Sequence, residues 1–106
     1  MKINKVYGLL GLARRAGKIS FGTQSSIETI KNKKAYLVIV AEDSSKRTKE
    51  SFANLANEKQ LPIREIGTIE ELSKAIGQVN KAIIVIKEKN FAEELIRIID
   101  GGEVIG

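Results

Sequence analysis

The 106-residue sequence predicts an α/β fold: a three-layer α/β/α sandwich on a mixed sheet of about four strands, with helices on both faces. Two observations carry this expectation. Two near-continuous apolar runs, 35–41 (AYLVIVA) and 82–86 (AIIVI), have the length and β-branched content of strands covered on both sides. Around them lie segments whose apolar residues recur every three or four positions, the mark of amphipathic helices. Strands separated by helices imply crossover connections, which put helices on both faces of one sheet.

In chain order, Ile3, Val6, Tyr7, Leu10 and Ala13 define a first helix that runs out near Arg15. Gly17 is its expected stop, and Ile19 and Phe21 begin a short extended piece. Gly22 and Thr23 open a second helix with Ile27 and Ile30 inward, closed by Asn32, Lys33 and Lys34. The 35–41 run follows as a central strand. Ser44 or Ser45 can cap a third helix carrying Thr48, Phe52, Leu55 and Ala56 on one side. Pro62 leads the next strand, through Ile63 and Ile66, from a position where its missing N–H costs no ladder bond. Thr68 and Glu71 have capping-box spacing ahead of a short helix with Leu72, Ala75 and Ile76, ended by Gly77. After the 82–86 strand, Asn90 and Glu93 repeat that spacing. The last helix then buries Phe91, Leu95, Ile98 and Ile99 before Gly101 and Gly102.

The length fits one domain, 1–106. There is no Cys and no His, which removes disulfides, zinc thiolates, cysteine nucleophiles and the commonest general base. A purely carboxylate metal site is left open, but no Asp/Glu spacing resembles a calcium loop, and neither a metal nor a cofactor is expected. The apolar stretch near the N-terminus is broken by Asn4, Lys5, Arg14 and Arg15, unlike a signal peptide or membrane span. A cytoplasmic protein that avoids membranes is the expectation.

Charge is unevenly placed. Residues 1–34 hold Lys2, Lys5, Arg14, Arg15, Lys18, Lys31, Lys33 and Lys34 against Glu28 alone, a balance of +7 within a net charge of +5. The rest of the chain balances to −2. Such asymmetry suits a phosphate-facing surface, because neutralising phosphates releases counterions. A general solubilising excess is the alternative.

Catalytic patterns are absent. GLARRAGKIS is not a phosphate-binding loop, since five residues rather than four separate Gly11 from Gly17, and Ile19 replaces the metal-binding hydroxyl. The serines have no His partner, and the carboxylate pairs fall where helices begin or face solvent. A non-enzyme with no small-molecule substrate is expected. Gly22-Thr23-Gln24-Ser25 is different: a glycine and small polar residues at a helix start leave backbone N–H groups facing outward. Gln24, Glu28 and Lys31 lie one turn apart on one face and can reach one ligand together. An ordinary N-cap with a solvated face is the other reading. Arg14, Arg15 and Lys18 either extend the basic surface or cap the first helix's C-terminus.

GLARRAGKI, the Gly22-Thr23 helix start, AYLVIVAEDSS with a following Thr-Lys helix, LPI before a strand and LSKAIG together resemble the bacterial YlxQ-like proteins. These are members of the ribosomal protein L7Ae and L30e superfamily, and the likeness spans nearly the whole chain. The resemblance implies an α/β/α sandwich that binds kink-turn RNA, with ribosomal RNA, other kink-turn-like RNA and the ribosome as partners. It places one contact surface at Gly22, Thr23, Gln24, Ser25 and Glu28, with Lys31 near the backbone, against sheared G·A pairs. A second, the loop Ile76, Gly77, Gln78 and Val79, would pack on a flipped-out or bulged nucleotide. The family usually carries Asn-Glu after the Gly-Thr and a Lys three positions beyond that Glu; this chain has Gln24, Ser25 and Glu28 there. Each of the latter two changes is expected to cost about 1–3 kcal/mol of recognition. A protein-interaction adaptor on the same scaffold, with a drifted RNA face, is the competing expectation.

Overall fold

The computed structural model describes residues 2–101. In order these form α1 (Lys2–Arg15), β1 (Ile19–Phe21), α2 (Thr23–Lys31), β2 (Leu37–Val40), α3 (Lys46–Glu58), β3 (Ile63–Glu65), α4 (Ile69–Ala75), β4 (Ile83–Ile86) and α5 (Lys89–Ile99). The strands make one sheet in the order β1-β4-β2-β3. It is mixed: β2 and β3, joined through α3, are parallel, while β4 runs antiparallel to both β1 and β2. The two apolar runs are therefore the two central strands, as their two-sided apolar character requires.

Pleating sends alternate residues to opposite faces, and the core divides accordingly. Leu37, Ile39, Ala41, Ile84 and Ile86 pack with Val6, Leu10, Ala13, Leu72, Leu95 and Ile98 beneath α1, α4 and α5. Val38, Val40, Ile83 and Val85 pack with Ile30, Phe52 and Ala56 beneath α2 and α3. The expected three-layer sandwich is the observed one. No helix among the described residues is long and apolar enough to cross a membrane.

The helix ends follow local chemistry, with two departures. Ser45 caps α3, accepting from the Thr48 N–H at 3.1 Å, while Ser44 is buried and donates to the Ala41 carbonyl at 2.7 Å. Thr68 caps α4 by accepting from the Glu71 N–H at 3.1 Å, but the return half of the box is missing. The Glu71 carboxylate instead accepts from the Tyr7 hydroxyl at 2.8 Å, tying α4 to α1. Burial first, and then this bond, push the Tyr7 phenol up to about 12, so it stays a donor through neutral pH.

The Asn90–Glu93 box does not form. Glu88 caps α5 instead, accepting from the Phe91 N–H at 2.7 Å, which leaves Asn90 inside the first turn. A carboxylate at that position also complements the helix dipole. Gly102 lies outside the described residues.

Candidate nucleic-acid interface

The antiparallel β1–β4 pairing decides what can act together. Phe21 pairs with Ile84, so the end of β1 meets the start of β4. The Gly22 N–H donates to the Ile83 carbonyl at 3.0 Å. The start of α2, which follows β1, is thereby set beside the loop that precedes β4. Residues 22–25 and 76–79, far apart in the chain, share one end of the sheet. The same end carries the β2–α3 connection, since the Ala41 N–H bonds to the Ala82 carbonyl at 2.9 Å.

Gly22 is the N-cap of α2, with φ 85° and ψ 166°, a backbone region essentially reserved for glycine. No side chain caps this helix, whereas Ser45, Thr68 and Glu88 close the first turns of α3, α4 and α5. The N–H groups of Thr23, Gln24 and Ser25 are thus left for an external acceptor, at the positive end of the helix dipole. All three residues are exposed, as are Glu28 and Lys31 farther along. Lys31 lies about 12 Å down the axis from Thr23.

Beneath this helix start sits a cluster that sequence reasoning missed. The Arg14 guanidinium lies 5.3 Å from the centroid of the Phe21 ring, and the Lys81 ammonium lies 5.8 Å from it. A Cβ built on Gly22 would come within 4.0 Å of Lys81 Nζ. Two cations therefore share one aromatic ring beside the uncapped helix start. Arg14 Nε is buried with no hydrogen-bond partner, so ring packing rather than a carboxylate holds this side chain. The available signal for Lys81 was its place between the 76–79 loop and the 82–86 run.

The loop before β4 is held by Ser73, which is buried on α4. Its hydroxyl accepts from the Lys81 N–H at 2.7 Å and donates to the Lys81 carbonyl at 3.2 Å. Between these anchors the loop turns through Gly77 and Asn80, both with positive φ, and presents Val79 at 81% exposure. Beside it lies a cleft of about 660 Å³ whose lining includes Asp43, Ile69, Ser73, Lys74, Gln78 and Val79. Ser73→Ala leaves the Lys81 N–H without its partner and is expected to cost about 1–3 kcal/mol in urea unfolding. A loss below about 0.5 kcal/mol would show that the loop does not depend on this anchor.

Two expected site residues fall elsewhere. Ile76 is 3% exposed and belongs to the core beneath α1, so it supports the loop and cannot meet a ligand. Lys18 sits at the opposite end of the sheet, where its carbonyl accepts from the Lys87 N–H at 2.7 Å. The chain reverses at Gly17, which separates Lys18 from the Arg14 side chain despite their closeness in sequence. Arg15 is exposed on the last turn of α1.

Residues 4–96 match the family described as ribosomal protein L7Ae/L30e/S12e/Gadd45. The chain is 31% identical over 94 residues to a protein of Bacillus subtilis (strain 168) named RNA-binding protein YlxQ, covering 89% of this chain and 94% of that one. A solved structure of a protein of unknown function from Bacillus halodurans superimposes with a TM-score of 0.88 at 30% identity, covering 91% of this chain and 97% of the other. The fold also matches a 15.5 kD RNA binding protein of Giardia lamblia, with a TM-score of 0.80 at 18% identity over 99% of this chain and 90% of that one.

Proposed function

The chain belongs to the ribosomal protein L7Ae/L30e/S12e/Gadd45 family, and from that footing we propose that it is a cytoplasmic, non-catalytic RNA-binding protein that reads kink-turn-like structured RNA. The observation that carries the proposal is the meeting of an uncapped helix start, a cation pair and an exposed apolar loop at one end of the sheet. Each part has a distinct task. The N–H groups of Thr23, Gln24 and Ser25 donate to a phosphate or base acceptor, and Arg14 and Lys81 neutralise the adjoining backbone. Val79 covers an unstacked base, with the cleft behind it as the receiving space.

Gln24 and Glu28 supply side-chain readout along α2. Glu28 is an acceptor able to take an amino group from a base edge, and Gln24 offers both donor and acceptor. Ribosomal RNA, within the ribosome or a smaller ribonucleoprotein, is the expected partner. The name of the Bacillus subtilis relative supports RNA as the ligand class.

The test is a binding titration against a kink-turn RNA near physiological salt, with the same RNA carrying replaced tandem G·A pairs as control. Binding at least about tenfold tighter to the intact RNA is expected. Equal binding to both would overturn the kink-turn reading while leaving RNA binding in place. Absence of binding to either would overturn both and turn attention to a protein partner.

A further inference from the structure

The strongly basic N-terminal segment does not form one surface. Arg14 joins Lys81 near the start of α2, whereas Lys18, Lys33 and Lys34 gather at the other end of the sheet with Lys87. Together with Gly17 and Tyr36 these four lysines line a cleft of about 340 Å³. Backbone bonds fix the arrangement. The Lys87 N–H bonds to the Lys18 carbonyl at 2.7 Å, and the Tyr36 N–H to the Ile86 carbonyl at 2.8 Å. Lys33, with φ 61°, and Lys34, whose N–H bonds to the Thr29 carbonyl at 3.1 Å, complete the turn that ends α2.

Several cations elsewhere on the surface have carboxylate partners. Lys49 lies 3.4 Å from Glu65, Arg64 lies 2.9 Å from Asp100, and Lys89 lies 4.0 Å from Glu93. Among the described residues no carboxylate comes within 4.0 Å of Lys18, Lys33, Lys34 or Lys87. Lys33 and Lys34 could answer to the negative end of the α2 dipole. Lys18, whose N–H bonds to the Ala13 carbonyl at 2.9 Å, likewise closes α1, but Lys87 follows β4 and answers to no helix C-terminus. Four unmatched like charges around one cleft repel one another, and a polyanion relieves that repulsion. Tyr36, 45% exposed beside them, adds an aromatic surface on which a base can stack.

We propose that this second end of the sheet is a separate RNA-binding face, taking the phosphates of a single-stranded segment on Lys18, Lys33, Lys34 and Lys87 and stacking a base on Tyr36. RNA as the ligand rests on the functional reading above, whereas the position of the face rests on the lysine cluster alone. The strands between the two ends are about 13 Å long, so each end engages a different part of an RNA. The exposed side of α2 leads from one end to the other. A bound RNA is therefore gripped at two places, and affinity grows with RNA that extends beyond the first.

The experiment follows backbone amide shifts of the isotopically labelled protein on addition of short single-stranded oligouridylate, with ATP as a parallel probe. Oligouridylate is expected to move the amides of Lys18, Lys33, Lys34, Tyr36 and Lys87. Lys33→Gln/Lys34→Gln/Lys87→Gln is expected to weaken oligouridylate binding about 100-fold near 0.1 M salt, at roughly 0.7 of a decade per lost phosphate contact. Tyr36→Ala, which keeps every charge, should weaken it without changing the salt slope.

Shifts confined to Gly22–Ser25 and Lys81 would overturn the second face and leave the kink-turn reading standing. Conversely, shifts at the lysine cluster from a protein that ignores the kink-turn RNA would uphold the second face while that reading fails. Equivalent shifts from ATP, with none from oligouridylate, would make the cleft a small-nucleotide site and overturn the RNA assignment.

Discussion

Neutralising Arg14 and Lys81 together, as Arg14→Gln with Lys81→Gln, is expected to weaken kink-turn RNA binding about 60-fold near 0.1 M salt. The magnitude follows from counterion release: each phosphate contact contributes about 0.9 of a decade at that salt, hence roughly 8-fold apiece. The slope of log affinity against log salt should become shallower by about 2, and by about 1 for Lys81→Gln alone. The structural reason for choosing this pair is the shared ring of Phe21, which holds the two charges at 5.3 and 5.8 Å from its centroid beside the start of α2. Arg14 also packs against that ring, so a thermal melt of the double variant accompanies the titration. An unchanged slope in a protein that still melts cooperatively would mean that neither cation touches RNA phosphate.

This pair also shows where sequence reading ends. The central strands were legible because burial on both faces leaves no room for polar residues, and Leu37–Val40 and Ile83–Ile86 are indeed fully buried. The start of α2 was legible because Gly22 and the small polar residues after it can be recognised locally. Strand register was not. Only the Phe21–Ile84 pairing brings Lys81 to Gly22, and nothing near either residue in the chain announces it.

Lys18 illustrates the opposite error. It was grouped with Arg14 and Arg15 by proximity along the chain, yet the reversal at Gly17 carries it to the lysine cluster with Lys87. Ile76 belongs by periodicity to the helix face of Leu72 and Ala75 and by resemblance to the contact loop, and its burial assigns it to the core. Glu71 fitted a capping box by spacing, but the Tyr7 hydroxyl, supplied by tertiary packing, claimed its carboxylate.

Gly67→Ala is expected to cost about 2–4 kcal/mol, a large effect for a single methyl group. Two separable effects add. Gly67 has φ +67°, where an L side chain costs about 1–2 kcal/mol. In addition, a Cβ there would stand 2.6 Å from the Tyr7 hydroxyl oxygen and 3.4 Å from Leu72 Cγ. Retreat of the hydroxyl strains its 2.8 Å bond to Glu71, which joins α1 to α4. For a domain of this size the loss corresponds to a fall in melting temperature of roughly 8–25 °C.

Tyr7→Phe separates the two effects, because it removes the atom that the new methyl meets and leaves the backbone strain. In that background Gly67→Ala should cost only about 1–2 kcal/mol, giving a coupling of about 1–2 kcal/mol in a double-mutant cycle. An equal cost in both backgrounds would assign the whole effect to backbone conformation. The Gly67 carbonyl accepts from the Glu42 N–H at 2.8 Å, and Asp43 in turn accepts from the Ile69 N–H at 2.8 Å. Asp43 and Ile69 both line the cleft beside Val79. Displacing Gly67 therefore disturbs the cleft assigned to RNA in the proposed function, and on that proposal kink-turn binding should weaken in Gly67→Ala and recover in the double variant.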